Sequence, residues 1–140
     1  MSEESKKTCA VIRSGEAYGG QQGFNYLPGV SADTVGAEQI CMQHVTVPPG
    51  GRARVHKHLS EEAAYVLSGE LEMFYGDALE ETLTVRPGDF LYVPAGMPHC
   101  PRNTSQSEPA TGLTARVTAR EQQDIVLLPD LDAALEKRLG

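Results

Sequence analysis

The chain has four histidines, and three of them sit with a glutamate in two short clusters: His56-x-His58 with Glu62, and later His99. This combination is metal chemistry. Neutral imidazole is the commonest metal ligand. His56 and His58 are two residues apart in a stretch of strand formers, so on an extended chain both side chains leave the same face. Glu62 follows a short polar turn and adds a hard oxygen. His99 comes after a second strand-like run that ends in Pro94-Ala95-Gly96. No thiolate joins the set, which excludes a soft, sulfur-rich site.

Short strands must carry these residues. The 14 glycines and 9 prolines cut the chain into brief runs. QICMQHVTV, ARVHKHL, AAYVL, ELEMFYG, ETLTV, DFLYVP, TARVTA and DIVLL are enriched in β-branched and aromatic residues and partly alternate, which predicts strands. Turn chemistry joins them at Pro48-Pro49-Gly50-Gly51, Ser68-Gly69, Tyr75-Gly76-Asp77, Arg86-Pro87-Gly88-Asp89 and Pro94-Ala95-Gly96. Many short strands predict an all-β sandwich or barrel. One helix is expected at the end, over LDAALEKRL. Asp130 is its expected N-cap, Leu131, Leu135 and Leu139 share a face, and Lys137 and Arg138 lie near its C-terminus.

Composition bounds the function. At 140 residues the chain is one domain with a single core. It divides into an N-terminal arm and edge strand (1–36), a barrel (37–128) and a C-terminal helix (129–140). A hydrophobic share of 40% with 22% charged residues is ordinary globular composition. The net charge of −7 argues against a nucleic-acid partner. No apolar run approaches the roughly 18–20 residues of a membrane span. The opening MSEESKKTCAVIRSG lacks the apolar centre of a secretory signal. The three cysteines, Cys9, Cys41 and Cys100, are widely spaced and do not form a disulfide framework, which favours a reducing cytoplasm.

Two stretches resemble the cupin motifs. GGRARVHKHLSEEAAYVLSG places Gly50, His56, His58, Glu62 and Gly69 at the spacings of the first motif. GDFLYVPAGMPHCPRN places Gly88, Pro94, Gly96, His99 and Asn103 at those of the second. The flanks GVSADTVGAEQI and REQQDIVLLPDLD are similar to a group of small single-domain cupins of largely unassigned function. The resemblance implies a small antiparallel β-barrel, or jelly roll, with one divalent transition metal inside. Its ligands would be His56, His58, Glu62 and His99. The spacing to Gly69 selects Glu62 over Glu61, which is expected to face solvent.

Three imidazoles and a carboxylate would saturate tetrahedral zinc, as in structural sites. An ion preferring six-fold coordination keeps two positions for substrate or dioxygen. Iron, manganese, nickel, cobalt and zinc are all candidates, with a six-coordinate ion favoured. Strand parity nominates further residues. Arg54 shares the parity of His56 and His58, so it is a candidate for holding a carboxylate or phosphate inside the barrel; the alternative is a rim arginine. His44 is a candidate base outside the metal shell, against a hydrogen-bonded core histidine. Tyr92 and Tyr75 are candidate phenol donors, against packing aromatics. Glu72 is another candidate base. Cys100 is expected to project away from the site, and Asn103 to fix backbone.

The leading expectation is a metal-dependent enzyme acting on a small oxygen-rich carbonyl, enol or carboxylate. Its chemistry would be either O2-dependent dioxygenation or redox-neutral isomerase, lyase or decarboxylase chemistry. The alternative is a non-catalytic protein that binds a sugar or metabolite through the metal. A homodimer is expected, because the edges of a small barrel need cover. The arm, Tyr65 and Phe74 are the candidate surface.

Overall fold

Alternating runs become strands and the Gly/Pro joints become turns in the computed structural model, which describes residues 7–13 and 15–140. The elements in chain order are β1 (Tyr18–Gly19), β2 (Asn25–Val30), α1 (Ala32–Val35), β3 (Cys41–Val47), β4 (His56–His58), β5 (Glu62–Ser68), β6 (Leu71–Tyr75), β7 (Glu81–Val85), β8 (Phe90–Val93), β9 (His99–Asn103), β10 (Ala110–Arg116), β11 (Ile125–Leu127) and α2 (Pro129–Leu139). Two antiparallel sheets face each other. One runs β1-β2-β3-β10-β5-β8 and the other β11-β4-β9-β6-β7. This is the expected all-β sandwich with a terminal helix. The first six residues of the expected arm lie outside the described residues.

Burial follows the pleat. On β3, Cys41, Gln43, Val45 and Val47 turn inward and the residues between them turn outward. Val66, Met73 and Val85 form one apolar cluster, with Leu91 packed against it. The larger cluster joins Phe24, Val45 and Val47 to Ala53, Val55, Phe74, Cys100 and Leu135. Gly69 shows how tightly the sheets close. Its φ is +78°, and a Cβ there would sit 2.7 Å from the Ala110 Cα; only glycine fits such a turn.

Three strands, β1, β2 and β9, escaped the sequence patterns. β9 carries Pro101 at its centre, a residue that donates nothing to a ladder. It holds because Ala53 N–H donates to the Pro101 carbonyl and β6 pairs along its whole length. β2 contains Pro28 and Gly29, and its register with β3 shifts between Pro28 and Val30.

α2 lies across the outside of the five-stranded sheet and converts what would be a solvent face into core. Its cap corrects the expectation. Leu128 occupies the N-cap with no side-chain hydrogen bond and Pro129 begins the helix, so Asp130 lies in the first turn. Pro129 suits that place because it needs no N–H partner there. Asp132 anchors the helix: one carboxylate oxygen accepts from Val55 N–H at 2.9 Å and from Arg52 at 2.8 Å. Leu135 is fully buried, with Leu131 and Leu139 packed beside it. Phe74 is buried beneath this layer and lies outside any dimer surface, contrary to expectation. Leu135→Ala should cost about 2–5 kcal/mol of stability, the usual range for emptying a fully packed leucine site. A urea titration should show the midpoint fall with an unchanged slope.

Candidate metal centre

The three imidazoles come from one wall of the sandwich. β4 and β9 are neighbours, and His56 pairs directly with His99 across the ladder. His58 is two residues along β4, on the same face. The turn before β9 is tied to β4 because Gly96 N–H donates to the His58 carbonyl at 2.7 Å. All three histidines are buried, each offers a ring nitrogen, and these nitrogens lie within 4.8 Å of one another. Their ring centroids are 4.4 to 4.9 Å apart.

Their hydrogen bonds fit a metal. His56 Nδ1 donates to the Arg54 carbonyl at 2.6 Å and His99 Nδ1 to the Met97 carbonyl at 2.8 Å. Each bond fixes the tautomer and leaves Nε2 with its lone pair, as metal-ligating histidines require. His58 Nδ1 is buried with no hydrogen-bond partner among the described residues. Arg116 donates to His58 Nε2 at 3.0 Å, so this Nδ1 carries the ring proton, and His58 would ligate an ion only after Arg116 leaves Nε2.

The opposite wall supplies charge. Glu62 opens β5 and stands in register with Arg116 on β10. Both are buried and face the histidines. Glu62 Oε2 lies 3.6 Å from His58 Nδ1 and 3.6 Å from Arg116 Nη1. Burial raises the Glu62 carboxyl to about 7, and the negative Asp124 adds to this against the opposing pull of Arg116. Burial also lowers the imidazoles. His56 falls to about 3 with help from His99, and His99 falls to about 4 against its bond to Met97. His58 is lowered too, by burial and then by Arg116. The metal-free histidines are therefore neutral at pH 7, which is the ligating form.

A cavity of about 70 Å³ adjoins this centre. Its sides are apolar, including Phe24, Tyr26, Val45, Val66, Met73 and Leu91, and Gln43, Glu62 and Arg116 add polarity. One water needs only about 10–15 Å³, so the space suits a ligand of a few heavy atoms.

Most of the other sequence candidates lie elsewhere. His44 sits on the outer face of β3, since the inward positions are Gln43 and Val45. Arg54 is exposed and donates to the Gln21 carbonyl at 3.0 Å. Parity fails there because β4 begins only at His56, and Arg54 N–H is taken by the Gln22 carbonyl. Tyr92 is 61% exposed and its hydroxyl donates to Glu61; on β8 it is Leu91 and Val93 that turn inward. Glu72 is paired with Arg102 at 2.7 Å on the outer face of β6. Tyr75 is the exception: it pairs with His99 across the ladder and lines a second cavity with it and Leu91. Cys100 points away from the site, donates to the Ala53 carbonyl and is raised by burial to about 11. The Asn103 side-chain amide donates to the Val47, Pro48 and Glu108 carbonyls, and its oxygen accepts from Ser105 N–H.

Arg116, Asp124 and Gln43 were missed. The signal for Arg116 is slight: a cation at the end of TARVTA is ordinary until its strand is set beside β5, where it falls opposite Glu62.

The shifts give a pH dependence for the metal-free protein. The histidines carry depressed values, so their stabilising contribution is complete above the ordinary 6.5 and is lost as pH falls toward 3 or 4. Glu62 has the opposite sign: its contribution is present below 4.5 and is lost as pH rises through about 7. Three groups oppose one, so the urea midpoint of metal-stripped protein should fall as pH drops from 6.5 to 4.5. A flat or rising midpoint over that window would contradict neutral, buried imidazoles.

Comparison with known proteins places this architecture. The family described as "Cupin domain" matches residues 43–115. No curated protein matches the chain. Among solved structures it resembles an oxalate decarboxylase from Lactobacillus farciminis, with TM-score 0.68 and 20% identity over 85% of this chain and 35% of that one. The chain thus spans about a third of that protein's length. It also resembles the polyketide cyclase RemF from Streptomyces resistomycificus, with TM-score 0.64 and 20% identity over 91% and 86% of the two chains. A third is TT1209 from Thermus thermophilus, with TM-score 0.57 and 30% identity over 68% and 83%. With more than half of its length matched by that family, two facing antiparallel sheets and a buried histidine triad between them, the chain belongs to the cupins.

Proposed function

We propose that this cupin is a divalent-metal enzyme acting on a small oxygen-rich molecule. The observation that carries this reading is the buried triad His56, His58 and His99 beside a small, mostly apolar cavity. Glu62 is proposed as the fourth ligand, from its burial on the facing wall and its 3.6 Å approach to His58. A bound ion would supply Lewis acidity toward a carbonyl, enol or carboxylate, or a place for dioxygen. An ion that accepts six ligands fits best, because four protein ligands then leave two positions for substrate. Around it the protein's own part is to exclude water with the apolar sides and to hold the imidazoles neutral and oriented.

One observation favours the second reading, a non-catalytic metabolite-binding protein. His44, Tyr92 and Glu72 all lie outside the cavity, so none can move a substrate proton. Metal analysis of protein purified without added metal tests the primary reading. The expected result is near one transition-metal ion per chain, with His58→Ala weakening retention at least about 10–100-fold, the loss typical even of an outer-shell substitution. Metal-free wild type, or a variant that loads equally, would overturn it. Oxygen consumption with candidate substrates then separates dioxygenation from redox-neutral chemistry.

The outer face of the six-stranded sheet is proposed as the homodimer surface. Ile40, Met42, Phe90, Tyr92 and Val117 are exposed there, and Tyr65 packs against Phe90 at 4.8 Å. Apolar patches of this kind mark interfaces. Sedimentation should give a dimer that Phe90→Glu shifts to monomer.

A further inference from the structure

A buried guanidinium faces the histidine triad, and it needs a reason to be there. The Arg116 side chain is 2% exposed. Its Nη1 donates to His58 Nε2 at 3.0 Å and its Nη2 to the Glu121 carbonyl. Its two carboxylate neighbours are too far for good hydrogen bonds: Glu62 Oε2 is 3.6 Å from Nη1, and Asp124 Oδ1 is 3.6 Å from Nε. Arg116 Nε and Asp124 Oδ1 are both buried without hydrogen-bond partners among the described residues. The other Asp124 oxygen accepts from Ser60. A guanidinium has five N–H donors in a planar fork; this one is incompletely satisfied, and its side chain lines the cavity.

We infer that Arg116 is the anchor for a small monoanionic substrate, a monocarboxylate with a short apolar body, in the cavity beside the triad. The inference rests on the metal-site reading and gives that site its substrate class. Shape and charge agree. The cavity volume of about 70 Å³ admits only a short molecule, and its apolar sides suit a hydrocarbon body. Arg116 is the one lysine or arginine lining the cavity, which matches a single carboxylate. The Glu121 carboxylate is turned aside, toward the Tyr18 hydroxyl at 3.4 Å. Once His58 served an ion, Arg116 would lose that acceptor and its Nη1 would be free to bind a carboxylate. Arg116 is thus a positioning and specificity residue, filling the role for which Arg54 was the candidate.

The test compares butanoate with butanamide, equal in size and differing in charge, by titration calorimetry on manganese(II)-loaded protein. Butanoate should bind at least tenfold more tightly. From acetate to butanoate, affinity should rise by up to about fourfold per methylene. Arg116→Met should abolish the preference for carboxylate over amide, and Arg116→Lys should retain part of it. Asp124→Asn, which removes a competing negative charge, should tighten butanoate several-fold, and this check stands even if Arg116→Met fails to fold. Equal binding of acid and amide, a preference that survives Arg116→Met, or weaker butanoate binding in Asp124→Asn would overturn the inference. If the protein takes up none of manganese, iron, cobalt, nickel or zinc, the metal reading fails separately. The same titration on metal-free protein then decides: an Arg116-dependent preference for butanoate upholds the anchor, and its absence overturns it.

Discussion

Keeping three imidazoles, a carboxylate and a guanidinium out of water between two sheets is the constraint around which this molecule is arranged. Each group would be expensive to bury alone. Together they are arranged so that their demands answer one another. His56 and His99 give their Nδ1 protons to backbone carbonyls, and Glu62 faces Arg116 across a strand pair. What is left over is an orphaned His58 nitrogen and an under-satisfied Arg116–Asp124 pair. The unsatisfied remainder in an otherwise well-paired core is itself the mark of a site.

The rest of the fold serves that interior. α2 seals the outer face of the five-stranded sheet, so the strands carrying the histidines are packed on both sides. The Arg52–Asp132 pair and the Asp132 bond to Val55 N–H fix the helix immediately before His56. Asn103 and Gly96 fix the two ends of the segment that delivers His99. Rigid backing of this kind holds ligand side chains where loops could not.

The histidine cluster was legible because its signal is local. Alternation puts His56 and His58 on one face, and the glycines and prolines around them announce the turns whatever the partners. Arg54, His44 and Tyr92 were nominated from parity, carried past the end of regular strand or used without knowing which face was inside. Arg54 stands two residues before His56, but the strand does not extend back to it. His44 and Tyr92 alternate as strand residues should, yet on β3 and β8 the opposite parity faces the cavity. Parity sorts residues into two sets and does not say which set is buried.

The sequence by itself determined the class of fold, the turns and the three imidazoles, because strand period, turn chemistry and His-x-His spacing act over a few residues. Only the tertiary structure decided what faces them. Arg116 lies 58 residues from His58 and meets it through the pairing of β10 with β5 and the stacking of the two sheets. Register is a long-range quantity, set by the packing of both faces at once. The histidine triad could therefore be read along the chain, while the guanidinium that faces it emerged only when the sheets closed.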